Sequence, residues 1–97
     1  MKLKPGFRQE YIKRHDEIWP ALRDLLATAG IRDYSIFLDE ETDTLFAFQR
    51  LIGDSGSQDV GQAEIVKKWW RYMSDIMETN HDYSPVTHPL KEAFYLP

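Results

Sequence analysis

A chain of 97 residues that is 42% hydrophobic and 13% aromatic is long enough for one core and too apolar to be disordered, so a single domain over residues 1–97 is expected. Its 16 acidic and 12 basic residues leave a net charge of −4, which argues against nucleic acid as the main partner, because phosphate neutralisation needs a basic surface. The absence of cysteine excludes disulfides, thiolate zinc sites and cysteine nucleophiles, while no apolar run reaches the roughly 18–20 residues of a membrane span.

"MKLKPGF" has no apolar stretch of the kind that signals secretion, so a soluble cytoplasmic protein is the expectation. Pro5–Gly6 ends whatever precedes it. From Phe7, "FRQEYIKRH" reads as helix, with Glu10 and Arg14 spaced for an ion pair and Tyr11 and His15 sharing one face. Pro20 cannot lie inside a helix, so the helix breaks between His15 and Trp19 and restarts with proline at its first position. Leu22, Leu25, Leu26 and Ala29 then form a buried stripe, and Gly30 closes it.

"DYSIFLDEETDTLFAFQRLI" reads as a hairpin. Tyr34, Ile36 and Leu38 alternate with Ser35 and Phe37, and Leu45, Ala47 and Gln49 alternate with Phe46, Phe48 and Arg50. "GDSGSQDVG", Gly53 to Gly61, is a surface loop. Helix returns from about Gln62 to Met77. Adjacent residues on a helix point about 100° apart, so one face cannot bury both Trp69 and Trp70 equally. The stripe is centred on Ile65, Trp69, Met73 and Ile76, which makes Trp69 a core residue and Trp70 a rim residue. "NHDYSPVTHP" is a turn-rich connection, and "LKEAFYLP" is expected to close the chain as a short strand.

The order is βαββαβ, an α+β, ferredoxin-like antiparallel sheet with helices on one face. Its other face presents aromatics, and two such sheets packing together in a homodimer would cover them.

Among residues able to carry chemistry, His15 stands first, since imidazole exchanges protons near neutrality; the alternative is a histidine that merely caps a helix end. Tyr11 and Tyr34 offer hydroxyls on apolar bodies, either for a polyol or as core tyrosines. Trp70 suits stacking on a sugar ring, or packing under a loop. His81 and His88 lack a second ligand at metal spacing, and phosphate loops and nucleophile elbows are absent. Neither a metal nor a cofactor is expected, which leaves proton transfer as the accessible chemistry.

"EYIKRHDEIWPAL", "YSIFLD", "KKWWRYMSDIM" and "SPV…LKEAFYLP" together resemble the L-rhamnose mutarotase family, in consistent order from Met1 to Pro97. The resemblance implies a small cytoplasmic isomerase of the dimeric α/β-barrel type that interconverts the α and β anomers of L-rhamnose without a cofactor. Residue by residue, it implies that His15 is the proton donor, that Tyr11 and Tyr34 bind the sugar, and that Trp69 and Trp70, the family's paired tryptophans, both touch it. Two departures accompany it. Members carry several more residues before "MKLKPG", so the first strand is expected to be shortened here, and "GDSGSQDVG" replaces a more aromatic segment.

Mutarotation opens the hemiacetal ring and recloses it on the other carbonyl face. His15 would deliver a proton to the ring oxygen or withdraw one from the anomeric hydroxyl, with water or a second polar group completing the pair. Two other readings share the architecture: a non-catalytic dimeric sugar-binding or assembly module, and a cofactor-independent oxygenase. The enzyme requires an accessible His15 beside aromatics. The module requires a buried His15 bonded to backbone.

Overall fold

The computed structural model describes residues 1–53 and 56–97. Helix α1 spans Arg8–Asp16 and helix α2 spans Pro20–Thr28, so the break falls where Pro20 requires it, with proline at the head of α2. Gly30 follows α2 with φ of +87°, a backbone conformation that a side chain would strain. It turns the chain directly into strand β1, Ile31–Asp39, which pairs antiparallel with β2, Thr44–Leu51.

The hairpin register sets Phe37 against Phe46 and Ser35 against Phe48. It slips between Arg32 and Ser35, where Asp33 has a φ of +48°. An extra residue in one strand reverses the facing of everything beyond it. Ile31 and Tyr34 are an odd number of positions apart, yet both face the same interior cavity because of this bulge. Beyond it the alternation is regular: Tyr34, Ile36 and Leu38 are half-buried while Ser35 and Phe37 are exposed.

The sheet extends past β2 through single bridges. Lys2 pairs with Thr44 and Leu3 with Met77, both antiparallel. The Leu3 amide donates to the Asp43 carbonyl, and the Lys4 amide donates to the Ile76 carbonyl, each at 2.9 Å. Residues 1–4 thus lie between β2 and the segment after the last helix, giving the spatial order of a ferredoxin-like sheet with a short first strand.

Asp54 and Ser55, within the expected loop, lie outside the described residues. The segment continues as a 3-10 turn, Ser57–Val60, into helix α3, Glu64–Met73. Val66, Trp69 and Met73 face inward from α3 at helical spacing. The helix was expected to run to Met77, but it stops four residues sooner. Ile76 and its neighbours spend their backbone groups on the amino-terminal strand: the Glu78 amide donates to the Lys2 carbonyl at 2.9 Å.

That pairing also corrects the expected closing strand. The fourth strand position is filled by Met77–Thr79, with Thr79 bridged to Pro85, and residues 87–97 form neither helix nor strand. "LKEAFYLP" alternates like a strand but pairs with no strand among the described residues. The core is Leu3, Tyr11, Leu22, Leu45, Val66, Trp69, Met73, Ile76 and Met77, between the helices and one sheet face. Phe37, Phe46 and Phe48 stand exposed on the other face.

Candidate functional site

The packing of α1 against α3 builds the site. Arg14 ties the two helices together from a side chain only 10% exposed. Its Nε donates to Glu10 Oε1 at 2.9 Å, and its Nη1 donates to the Tyr72 carbonyl at 2.7 Å and to Asp75 Oδ1 at 2.9 Å. The guanidinium carbon also lies 4.3 Å from the centre of the Tyr72 ring. Asp75 is held below the usual carboxylate range by this hydrogen-bonded arginine.

One residue further along α1, His15 is brought against an aromatic row. Its ring centre is 4.2 Å from that of Tyr11 and 5.4 Å from that of Trp69, the latter edge-on at 85°. Trp69 meets Trp19 edge-on at 5.1 Å, and Trp19 stacks on Tyr72 at 5.5 Å. Trp19 therefore packs against α3. These rings fill the space between α1, α2 and α3 and fix the imidazole from two sides.

A cavity of about 540 Å³ opens beside the row. Tyr11, His15, Tyr34, Trp69 and Trp70 all line it, so the structure brings every candidate of the sequence analysis to one place. Apolar walls come from Ile31, Ile36, Leu22 and Met73. The size and the mostly apolar wall with a few polar groups suit a small organic ligand. The wheel assignment of the tryptophans holds: Trp69 is 8% exposed, whereas Trp70 is half-buried at the edge.

The electrostatics follow from burial. Desolvation lowers the pKa of His15 below its ordinary value, against smaller opposing effects of the Tyr11 carbonyl and Asp16. His15 Nδ1 lies 3.1 Å from that carbonyl. A carbonyl oxygen only accepts, so Nδ1 carries the proton and Nε2 of the neutral ring holds a lone pair. Burial, with the Tyr34 phenol adding to it, pushes the Tyr11 hydroxyl well above its ordinary value and keeps it protonated. The site thus holds one neutral base and one persistent hydroxyl donor.

His15 meets parts of both requirements set out from sequence. It is half-buried and bonded to backbone through Nδ1, yet it lines an open cavity. A purely structural histidine needs no cavity beside it. Asp16 and Arg23 also line the cavity and were not singled out in the sequence. Asp16 had one signal, its position beside His15; Arg23 had none. His81 and His88 are exposed, and no group of three or more potential metal ligands occurs among the described residues.

Comparison with known proteins bears on this geometry. The L-rhamnose mutarotase family matches residues 1–96. An L-rhamnose mutarotase of Formosa agariphila is 57% identical over 96 residues, covering 99% of this chain and 92% of the relative. One of Bacteroides thetaiotaomicron is 58% identical with the same coverage. The crystal structure of an L-rhamnose mutarotase from Formosa agariphila superimposes with a TM-score of 0.90 at 54% identity, covering 100% of this chain and 93% of that one.

Proposed function

The chain belongs to the L-rhamnose mutarotase family, and we propose that it is an isomerase that interconverts the α and β anomers of L-rhamnose with His15 as its proton carrier. The observation that carries the reading is the convergence of His15, Tyr11, Tyr34, Trp69 and Trp70 on one cavity of about 540 Å³.

The chemistry follows from the protonation states. Neutral His15 accepts the proton of the anomeric hydroxyl at Nε2, while a donor protonates the ring oxygen; the C1–O5 bond breaks and an aldehyde forms. Rotation about C1–C2 and the reverse transfers close the ring on the other face. A positioned acid–base group of this kind is worth about 10²–10⁴-fold, which suffices for a reaction that already proceeds in water. Tyr11 and Tyr34 orient hydroxyls. Trp70, backed by Trp69, covers the apolar face of the sugar and its methyl group, which is what gives a tryptophan at the rim of the core a use.

The test is NMR saturation transfer between the two H1 signals of L-rhamnose, with and without the protein. Accelerated exchange is expected. A folded protein that leaves the exchange at its rate in water contradicts the reading.

A homodimer is part of the proposal. Its support is the apolar surface that one chain leaves uncovered: Phe37, Phe46 and Phe48 on the open sheet face, and the terminal segment with Leu90 at 75% and Phe94 at 79% exposure. Sedimentation of the intact chain should give twice the chain mass, and Phe46→Ser with Phe48→Ser should lower it. A monomeric intact chain removes the dimer from the proposal. A cytoplasmic location goes with the reading, and no helix among the described residues is long and apolar enough to cross a membrane.

A further inference from the structure

Gly61, at the end of the 3-10 turn before α3, has no backbone reason to be glycine. Its φ of −64° and ψ of −8° are ordinary right-handed values that alanine adopts without strain. Replacing glycine by alanine at such a position normally stabilises a protein by reducing the freedom of the unfolded chain. Space supplies the reason instead. A Cβ at Gly61 would lie 2.5 Å from Cη2 and 2.8 Å from Cζ3 of Trp70, far inside van der Waals contact.

Those two atoms are the outer edge of the indole, which is rigid and moves only as a whole. Trp70 divides two cavities. The larger holds His15 and the tyrosines; the smaller, of about 330 Å³, is lined by Gly61, Asp59, Gln62, Asn80 and Asp82. Gly61 lines only the smaller one, so pressure from its side moves the indole toward the larger. The adjacent Val60 lines the larger cavity, so the turn and the indole form one continuous wall.

We infer that Gly61 is a positioning residue for the sugar site: the hydrogen in place of a side chain lets the Trp70 ring seat against the turn and sets the width of the cavity. The inference rests on Trp70 contacting the sugar. It names a residue that never meets the substrate, in a segment whose glycines otherwise read only as loop material.

The experiment is a double-mutant cycle of Gly61→Ala and Trp70→Phe, reading KM and kcat for anomer exchange of L-rhamnose together with the near-UV circular dichroism of the sugar-free proteins. Gly61→Ala should raise KM by roughly three- to tenfold, the scale of one lost aromatic contact, with kcat changed less than about twofold. It should alter the near-UV spectrum in a protein that still folds, with the thermal midpoint lowered by about a few degrees, since displacing the ring outweighs the gain from a less free unfolded chain. Phenylalanine lacks the outer indole atoms, so adding Gly61→Ala to Trp70→Phe should change KM no further. An unchanged KM and spectrum in Gly61→Ala overturns the inference, as does a KM effect that persists undiminished beside Trp70→Phe. If Gly61→Ala changes the spectrum while Trp70→Phe and Trp70→Ala leave KM untouched, the ring is positioned by Gly61 but is not a sugar wall, and it is the reading of Trp70 that fails.

Discussion

Adjacent tryptophans on one helix should respond oppositely to truncation. Trp69 is 8% exposed and meets His15, Trp19 and Tyr72 within 6 Å between ring centres, at 5.4, 5.1 and 5.8 Å. Trp69→Ala removes a full core aromatic, a loss of about 3–5 kcal/mol in comparable sites. In a domain of this size each kcal/mol moves the thermal midpoint by roughly 4–8 °C, so the variant should melt at least about 12 °C lower. Trp70 is half-buried at the stripe's edge and already borders two cavities. The burial of this partly covered ring corresponds to roughly 2–4 kcal/mol, less than that of Trp69. Trp70→Ala should therefore fold, melt lower by a clearly smaller margin than Trp69→Ala, and require more L-rhamnose for half-maximal exchange. Urea and thermal denaturation separate the two variants, and exchange kinetics on folded Trp70→Ala complete the comparison. If Trp70→Ala melts as low as Trp69→Ala, or keeps the original KM, the division of the pair into core and sugar wall is wrong.

Arg14→Ala should destabilise by about 1–3 kcal/mol, because it unties Glu10, the Tyr72 carbonyl and Asp75 at once; Arg14→Lys should not restore the loss, since one ammonium cannot span that set. Asp75→Asn, at a carboxylate 65% exposed, should cost less than about 1 kcal/mol. Both are read from urea midpoints. Leu3→Ala should cost about 2–5 kcal/mol, because this residue of the short first strand is 2% exposed; a change near zero would mean that residues 1–4 are not integral to the sheet. His15 has a lowered pKa when folded, so the unfolded chain binds the extra proton first as pH falls. Its contribution should thus be full above pH 6.5 and decline as pH drops from there toward the folded value, and kcat/KM should fall on an acid limb set by that lower, folded value. A His15→Ala variant that shows the same limb in kcat/KM would assign it to another group.

Much of the fold could be read locally. Pro20 placed the break between α1 and α2, Gly30 placed the turn into β1, and alternation of Tyr34, Ile36 and Leu38 identified the inward face of the hairpin. The failures share a cause. The end of α3 and the location of the last strand depend on which backbone the amino terminus pairs with, and no periodicity within residues 74–97 records a hydrogen bond from Lys4 to Ile76. Amphipathic alternation in "LKEAFYLP" describes a segment that wants an apolar neighbour, without saying whether that neighbour belongs to its own chain. The site was legible in part for the same reason. Tyr11 and His15 lie one helical turn apart, and the helical wheel separates Trp69 from Trp70. That His15 rests against Trp69 is a contact between helices, and the tie from Arg14 to Asp75, 61 residues away, reaches the turn after α3.

The most direct test of the account compares L-rhamnose anomer exchange by NMR saturation transfer in the intact protein and in His15→Ala, at a pH above 7 where the imidazole is neutral. The account predicts acceleration by the intact protein, and its loss, by about 10²-fold or more, in a variant that still folds. Acceleration that survives in His15→Ala would contradict the assignment of the proton carrier and move the chemistry to another group of the same cavity.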